Sequence, residues 1–295
     1  MSTIFIATKP IQIVSCYQIA DQYGIEDARL YVCRHFPCDS GLSSRLQSRL
    51  DIFSDVQLFE RDNDAIHKAA SERPSDLYLD SDTSYWISKY LKLIKQKYNT
   101  KIYIYEEGLH TYDPNPYKAG LLRKILFRFL GYSIQMGESQ MIDGIYVTQP
   151  ALYSKLYPEK PTYFFRLPFF PGEDCRVDWL SLFGGLGLAS GCINPASSTA
   201  SLILSSHRME SIHAGLKYAR GDLFIKVHPH IYGNFTQEID QQDAQFFESI
   251  VPVEFCIFEL LRRYEHLQVI HDKTTVQFHL GFLPSIEWVD VSNEI

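Results

Sequence analysis

No CxxC pair occurs in the chain, and six cysteines (Cys16, Cys33, Cys38, Cys175, Cys192 and Cys256) spread over 295 residues are too sparse for a disulfide scaffold. Reduced thiols in a cytoplasmic protein are expected. No apolar run approaches the ~18–20 residues needed to span a bilayer. The opening MSTIFIATKPIQIV lacks a basic n-region, and its apolar run IFIA stops at Thr8-Lys9-Pro10, too short for the core of a signal peptide. Positive charge is short as well. Lys and Arg total 28 against 35 Asp and Glu, a formal charge of −7 and a pI near 5.8. Such a surface repels a phosphate backbone, which excludes non-specific nucleic-acid binding and leaves any anionic ligand to a local site. What the chain does have is 45% apolar and 21% charged residues, enough for one large domain or two ordinary ones.

Short apolar runs rich in β-branched and aromatic residues alternate with longer helical-period segments, the pattern of α/β layers with parallel strands. Strands are expected at 4–7, 28–33, 55–59, 76–79 and 101–105, with helices at 10–23, 42–52, 63–72 and 83–98. The alternation restarts with strands at 201–205, 222–227 and 267–270 and helices at 209–219 and 255–264. Between the two series, residues 166–200 are rich in Gly, Pro and Ser. Gly185-Leu186-Gly187 lies there, but no strand precedes it and no further glycine completes GxGxxG, so a linker is the expected reading. The expected organisation is a Rossmann-like domain over 1–165, a linker over 166–200 and a second Rossmann-like domain over 201–295, facing each other across a cleft. Ligands of such sheets bind beyond the C-terminal ends of the strands.

Four motifs sit at those ends. Glu106-Glu107-Gly108 follows the strand KIYIY. Neighbouring side chains point apart, so one carboxylate faces the site while the other is structural, and Gly108 permits the tight turn. A partly desolvated carboxylate there accepts a proton from a hydroxyl. His228-Pro229-His230 follows DLFIKV, and Pro229 biases His228 toward an extended conformation at the strand tip. A metal reading of His-x-His requires further ligands, and no HExxH, CxxC or other organised partner is present. Lys273-Thr274-Thr275 offers hydroxyls and backbone N–H groups to a phosphate, or simply caps a helix. Asp80-Ser81-Asp82 resembles the Asp-x-Asp metal site of single-sheet nucleotide-sugar enzymes, or is an acceptor-side loop or N-cap. Separately, residues 117–132 (YKAGLLRKILFRFLGY) form a basic amphipathic stretch carrying Lys118, Arg123, Lys124 and Arg128. It either packs its apolar stripe on its own domain or rests on an anionic membrane or lipid-linked acceptor.

Taken in order, these features resemble the bacterial sialyltransferases of GT-B fold: the lipooligosaccharide sialyltransferases of glycosyltransferase family 52 and, more distantly, the capsule polysialyltransferases. The family's acidic-acidic-Gly and His-Pro motifs are matched by Glu106-Glu107-Gly108 and His228-Pro229. Its downstream glutamate and hydroxyl pair resemble Glu254 and Thr274-Thr275, with Thr-Thr where Ser-Ser is usual. The opening IFIATKPIQIVSCYQIA also looks like the family's first strand and helix. The resemblance implies inverting, metal-independent transfer of a sialyl residue from CMP-sialic acid to a sugar hydroxyl of a bacterial surface glycan. It makes Glu106 by preference, or Glu107, the general base. His228 then assists the leaving CMP phosphate, Pro229 belongs to the same motif, Thr274 and Thr275 bind that phosphate, and Glu254 contacts the cytidine. No cofactor is implied. The partners are a nucleotide-sugar donor and a glycan acceptor, lipid-linked, with peripheral contact of 117–132 on the cytoplasmic face of the inner membrane. The alternatives are a transferase using another activated donor, of CMP-Kdo or CDP-glycerol type, and a non-catalytic glycan- or nucleotide-binding protein of the same fold.

Overall fold

The computed structural model describes residues 2–36, 41–115, 120–168, 177–183, 197–205, 209–228, 244–247, 250–272, 274, 276–281 and 283–295. The chain divides into two units, Met1–His35 with Ser40–Pro168, and Phe36–Asp39 with Phe169–Ile295.

The first unit is built on seven parallel strands: β1 (Thr3–Ala7), β2 (Ala28–Cys33), β3 (Phe53–Phe59), β4 (Asp76–Leu79), β5 (Lys101–Tyr105), β6 (Gly144–Val147) and β7 (Thr162–Phe164). Their order is β3-β2-β1-β4-β5-β6-β7. Every residue of β1 (TIFIA) is buried, as a central parallel strand covered on both faces requires. The connecting helices are α1 (Pro10–Gln22), α2 (Leu42–Arg49), α3 (Asp62–Glu72), α4 (Tyr85–Tyr98), α5 (Leu121–Leu130) and the single turn α6 (Pro150–Tyr153). Helix α1 starts on Pro10, whose fixed φ suits the first helical position. Helix α4 stops at Asn99, in the left-handed conformation with φ 55°.

The second unit repeats the plan with β8 (Thr199–Leu204), β9 (Asp222–Lys226), β10 (Gln245–Phe247), β11 (His266–His271) and β12 (Ile286–Asp290), all parallel in the order β10-β9-β8-β11-β12. Its helices are α7 (Trp179–Leu182), α8 (Met209–Leu216), α9 (Val253–Leu261) and α10 (Val276–Leu280). Helix α7 falls inside the stretch expected to be linker, and Trp179 stacks on Phe255 of α9 at 6.2 Å. The Gly185-Leu186-Gly187 segment lies outside the described residues. Cys16, Cys33 and Cys256 are free, buried thiols. Among the described residues no helix is long and apolar enough to cross a membrane.

In each sheet the order reverses beside the first strand, between β1 and β4 and between β8 and β11. At such a switch point the loops leave in opposite directions and open a crevice beyond the strand ends.

Candidate active site

The crevice of the first unit is lined from three strand ends: Thr8 and Lys9 after β1, Asp80 after β4, and Glu106 and Glu107 after β5. Gln12 ties the first two together. Its Oε1 accepts from the backbone N–H of Thr8 (2.7 Å) and Lys9 (3.0 Å), satisfying donors at the start of α1. Its Nε2 donates to Asp80 Oδ2 at 2.9 Å, and Thr8 Oγ1 donates to the same oxygen at 3.0 Å. Burial raises the Asp80 carboxyl above its ordinary range. The Glu107 charge adds to the shift and the Lys9 ammonium opposes it.

The two glutamates after β5 point apart, as adjacent residues leaving a strand must. Glu106 is buried, and its Oε2 accepts from Tyr112 Oη (2.6 Å), Thr148 N (2.6 Å) and Thr148 Oγ1 (2.7 Å). These bonds tie the end of β5 to the residue after β6 and to the 3-10 turn Leu109–Tyr112. Burial and the Glu106 charge both push the Tyr112 hydroxyl upward, so it serves as a neutral donor. Glu107 turns the other way. Its Oε1 pairs with Lys9 Nζ at 2.5 Å, and its Oε2 is buried with no hydrogen bond, 3.5 Å from His110 Nδ1. Gly108 behind them has φ 127°, a conformation side-chain-bearing residues rarely adopt.

Asp82, the second aspartate of the Asp-x-Asp segment, is fully buried and belongs to the scaffold. Ser133 Oγ donates to its Oδ2 and Gly137 N to its Oδ1 at 2.9 Å, which anchors the loop after α5. Among the described residues no group of three or more His, Cys, Asp or Glu is arranged to hold a metal. Burial raises the Asp82 carboxyl from 3.8 to about 6 despite those two bonds. A folded-state pKa above the unfolded one means that ionisation disfavours the fold. Its penalty is complete above pH 6, shrinks as pH falls through about 6, and vanishes below 3.8. Acidifying from pH 7.5 to 5 is therefore expected to stabilise the wild type relative to Asp82→Asn by about 1–2 kcal/mol. Paired thermal melts at the two pH values check this, and an unchanged difference would refute it.

In the second unit, His228 stands two residues beyond β9 and is partly buried, while Pro229 and Thr275 lie outside the described residues. Lys226, the last residue of β9, is a buried cation whose Nζ donates to the Val227 carbonyl at 3.3 Å. Glu254, in the first turn of α9, is buried with its Oε1 3.4 Å from Nδ1 of His279 on α10. Thr274 Oγ1 accepts from Val276 N at 3.2 Å, so it caps the short helix α10. His271 ends β11 at the switch point. It is buried, neither ring nitrogen has a hydrogen bond, and burial pushes its pKa down against the opposing charges of Asp290 and Asp272. Lys9 and Gln12 lie in the opening IFIATKPIQIVSCYQIA and Lys226 two residues before His228-Pro229, but none of them, nor His279, stands out as a site residue from sequence. The one sequence signal for the two lysines is a cation at or just after the last residue of a buried strand.

Compared by sequence, the chain matches no protein-family model and no curated protein. Compared by structure, it is similar to a 2,6-sialyltransferase of Photobacterium sp. JT-ISH-224, solved in a ternary complex with the donor product CMP and the acceptor substrate lactose. The TM-score is 0.54 at 11% identity, over 98% of this chain and 71% of that one. It is also similar to a UDP-N-acetylglucosamine 2-epimerase from Rickettsia bellii, with a TM-score of 0.52 at 14% identity, over 98% of this chain and 78% of that one. The fold is GT-B-like. Two parallel Rossmann-like sheets in succession are the basis of that likeness, and at these identities it extends to the fold alone.

Proposed function

We propose that the chain is an inverting glycosyltransferase that moves a sialyl residue from CMP-sialic acid to a hydroxyl of a bacterial surface glycan, without a metal. The observation that carries the reading is Glu107: a carboxylate at a strand end beside the switch point, with one oxygen on Lys9 and the other buried, without a hydrogen bond and 3.5 Å from His110 Nδ1. In the reaction the acceptor oxygen bonds to the anomeric carbon of the donor as the bond from that carbon to the CMP phosphate breaks. Glu107 takes the acceptor's proton, and His228 donates a hydrogen bond or proton to the departing phosphate. The preference between the two acidic residues passes from Glu106 to Glu107, because Glu106 Oε2 already accepts three hydrogen bonds that hold β5 to β6. Thr274 and Thr275 are assigned to the phosphate and Glu254 to the cytidine. A single phosphate is matched by an imidazole and hydroxyls where a diphosphate usually calls on a cation.

The epimerase likeness supports a second donor class, a UDP-sugar, on the same fold. A nucleotide panel separates the two. CMP at 100 times its dissociation constant is expected to stabilise the protein by about 2.7 kcal/mol, seen as a higher thermal midpoint, with UDP and GDP inert. Stabilisation by UDP and not by CMP would overturn the sialyl reading. The direct assay is CMP release from CMP-sialic acid in EDTA with a galactose-terminated acceptor. Undiminished activity of both Glu106→Ala and Glu107→Ala would sink the mechanism.

A further inference from the structure

Helix α5 buries one side chain among its large apolar residues, Phe127, which packs with Tyr132 and Ile134. Leu121, Leu122, Ile125, Leu126 and Phe129 are exposed, Leu122 and Phe129 by 85% and 87%. At 100° per residue these five fall within an arc of about 140°, and Phe127 lies directly opposite its centre. The helix is thus pinned by its back and presents its apolar stripe outward, the reverse of packing on its own domain. Lys124 and Arg128 lie along one edge of the stripe. Arg123 lies toward the other, its guanidinium 4.8 Å over the Phe127 ring.

Helix α4 continues the face. Lys92 Nζ donates to the Leu130 carbonyl at 3.3 Å, and Tyr85 meets Tyr132 with ring centroids 5.7 Å apart. Trp86 and Leu93 are more than half exposed, and Lys89 lies over the Trp86 ring at 5.6 Å. The charge is one-sided. Between Asp82 and Glu106 the chain has Lys89, Lys92, Lys95, Lys97 and Lys101 and no acidic residue. Between Asp113 and Glu138 it has Lys118, Arg123, Lys124 and Arg128 and again none. Of these nine cations, Lys95 is paired with Asp143, Lys101 opens β5 and Lys118 lies outside the described residues. That leaves Lys89, Lys92, Arg123, Lys124 and Arg128 as the cations that bear on this face in a protein of net charge −7.

We propose that the α4–α5 face docks on an anionic phospholipid bilayer, with α5 lying in the interface and its apolar arc among the acyl chains near the headgroups. Exposed Leu, Ile and Phe supply buried apolar area, Trp86 suits the interface, and the flanking Lys and Arg meet the lipid charge. A second copy of the chain is the poorer occupant. Two-fold pairing of this face would set its cations against themselves. The inference is independent of the transfer reading, since vesicle binding requires neither donor nor turnover.

The test is co-sedimentation of the full chain with phosphatidylcholine vesicles with and without phosphatidylglycerol. Binding is expected only with the anionic lipid, at least tenfold weaker in 0.5 M NaCl. Leu122→Ser/Phe129→Ser and Arg123→Gln/Lys124→Gln/Arg128→Gln are each expected to lower the bound fraction at least tenfold with an unchanged thermal midpoint. A measurement on the unaltered helix α5 stands beside these variants: brominated lipid is expected to quench tryptophan emission in the wild type and not in Trp86→Phe. Equal binding to both vesicle types, or undiminished binding by either α5 variant, would overturn the proposal. A dimer in sedimentation velocity that Leu122→Ser/Phe129→Ser converts to monomer would also overturn it.

Discussion

Glu107→Gln is expected to lower kcat for sialyl transfer 100- to 10,000-fold, the usual worth of a positioned general base, while CMP still raises the thermal midpoint as in the wild type. The amide preserves shape and one acceptor but cannot take the acceptor's proton. It also gives Lys9 an amide in place of its 2.5 Å carboxylate partner, and because the lysine side chain is 45% exposed its ammonium stays solvated and the loss of stability is small. A variant that folds, binds CMP and fails to transfer is the expected phenotype. Single-turnover kinetics with saturating donor measure it directly, and a loss smaller than tenfold would remove Glu107 from the chemistry.

For Glu106→Ala the expected loss is of fold rather than of chemistry. Three donors lose one acceptor: the Tyr112 hydroxyl, the Thr148 amide and the Thr148 hydroxyl. Leaving such groups unsatisfied costs about 1–3 kcal/mol each when buried, and these are part-buried, so the sum is about 2–3 kcal/mol. For a unit of this size that is a drop of about 5–10 °C in the thermal midpoint. Glu106→Gln keeps an acceptor for the Thr148 amide and is expected to lose less than half as much. The neighbours therefore trade phenotypes: stability falls at 106 with turnover per folded molecule largely kept, and turnover falls at 107 with stability kept. The opposite pattern would restore Glu106 as the base.

Much of this architecture is legible from residue pattern. The five strands of the first 105 residues are apolar runs set between helical-period segments, and each lies within two residues of its expected bounds. The strands that escape reading are short or broken by charged residues. β7 and β10 have three residues each, β6 has four, and the edge strand β12 (IEWVD) is interrupted by Glu287 and Asp290, both exposed. Helix α5 ends at Leu130, two residues before the amphipathic pattern does, because Gly131, at φ 72°, stops it.

The site divides in the same way. That carboxylates stand at the tip of β5 follows from local sequence, but their roles are set by partners far along the chain. Glu107 meets Lys9 from 98 residues away, and Glu106 meets Thr148 from 42. Asp82 reads as part of a metal motif, an acceptor-side loop or an N-cap until Ser133, 51 residues on, shows it to be an internal anchor. Strand tips are a local property, whereas which side chain is left with an unused oxygen is a property of the whole sheet.

The central placement of β1 also governs the order of assembly. β1 pairs with β2 on one side and with β4 on the other, so TIFIA has one open hydrogen-bonding edge until residues 76–79 have been made. A nascent or truncated chain that ends before β4 presents a strand apolar in four of its five residues with one edge unpaired, the edge most prone to join a foreign strand. β8 repeats the situation on a longer interval, pairing with β9 at once but with β11 only after residue 266. Each unit closes its sheet late, from the middle outward, and cuts placed inside those intervals yield fragments prone to aggregation.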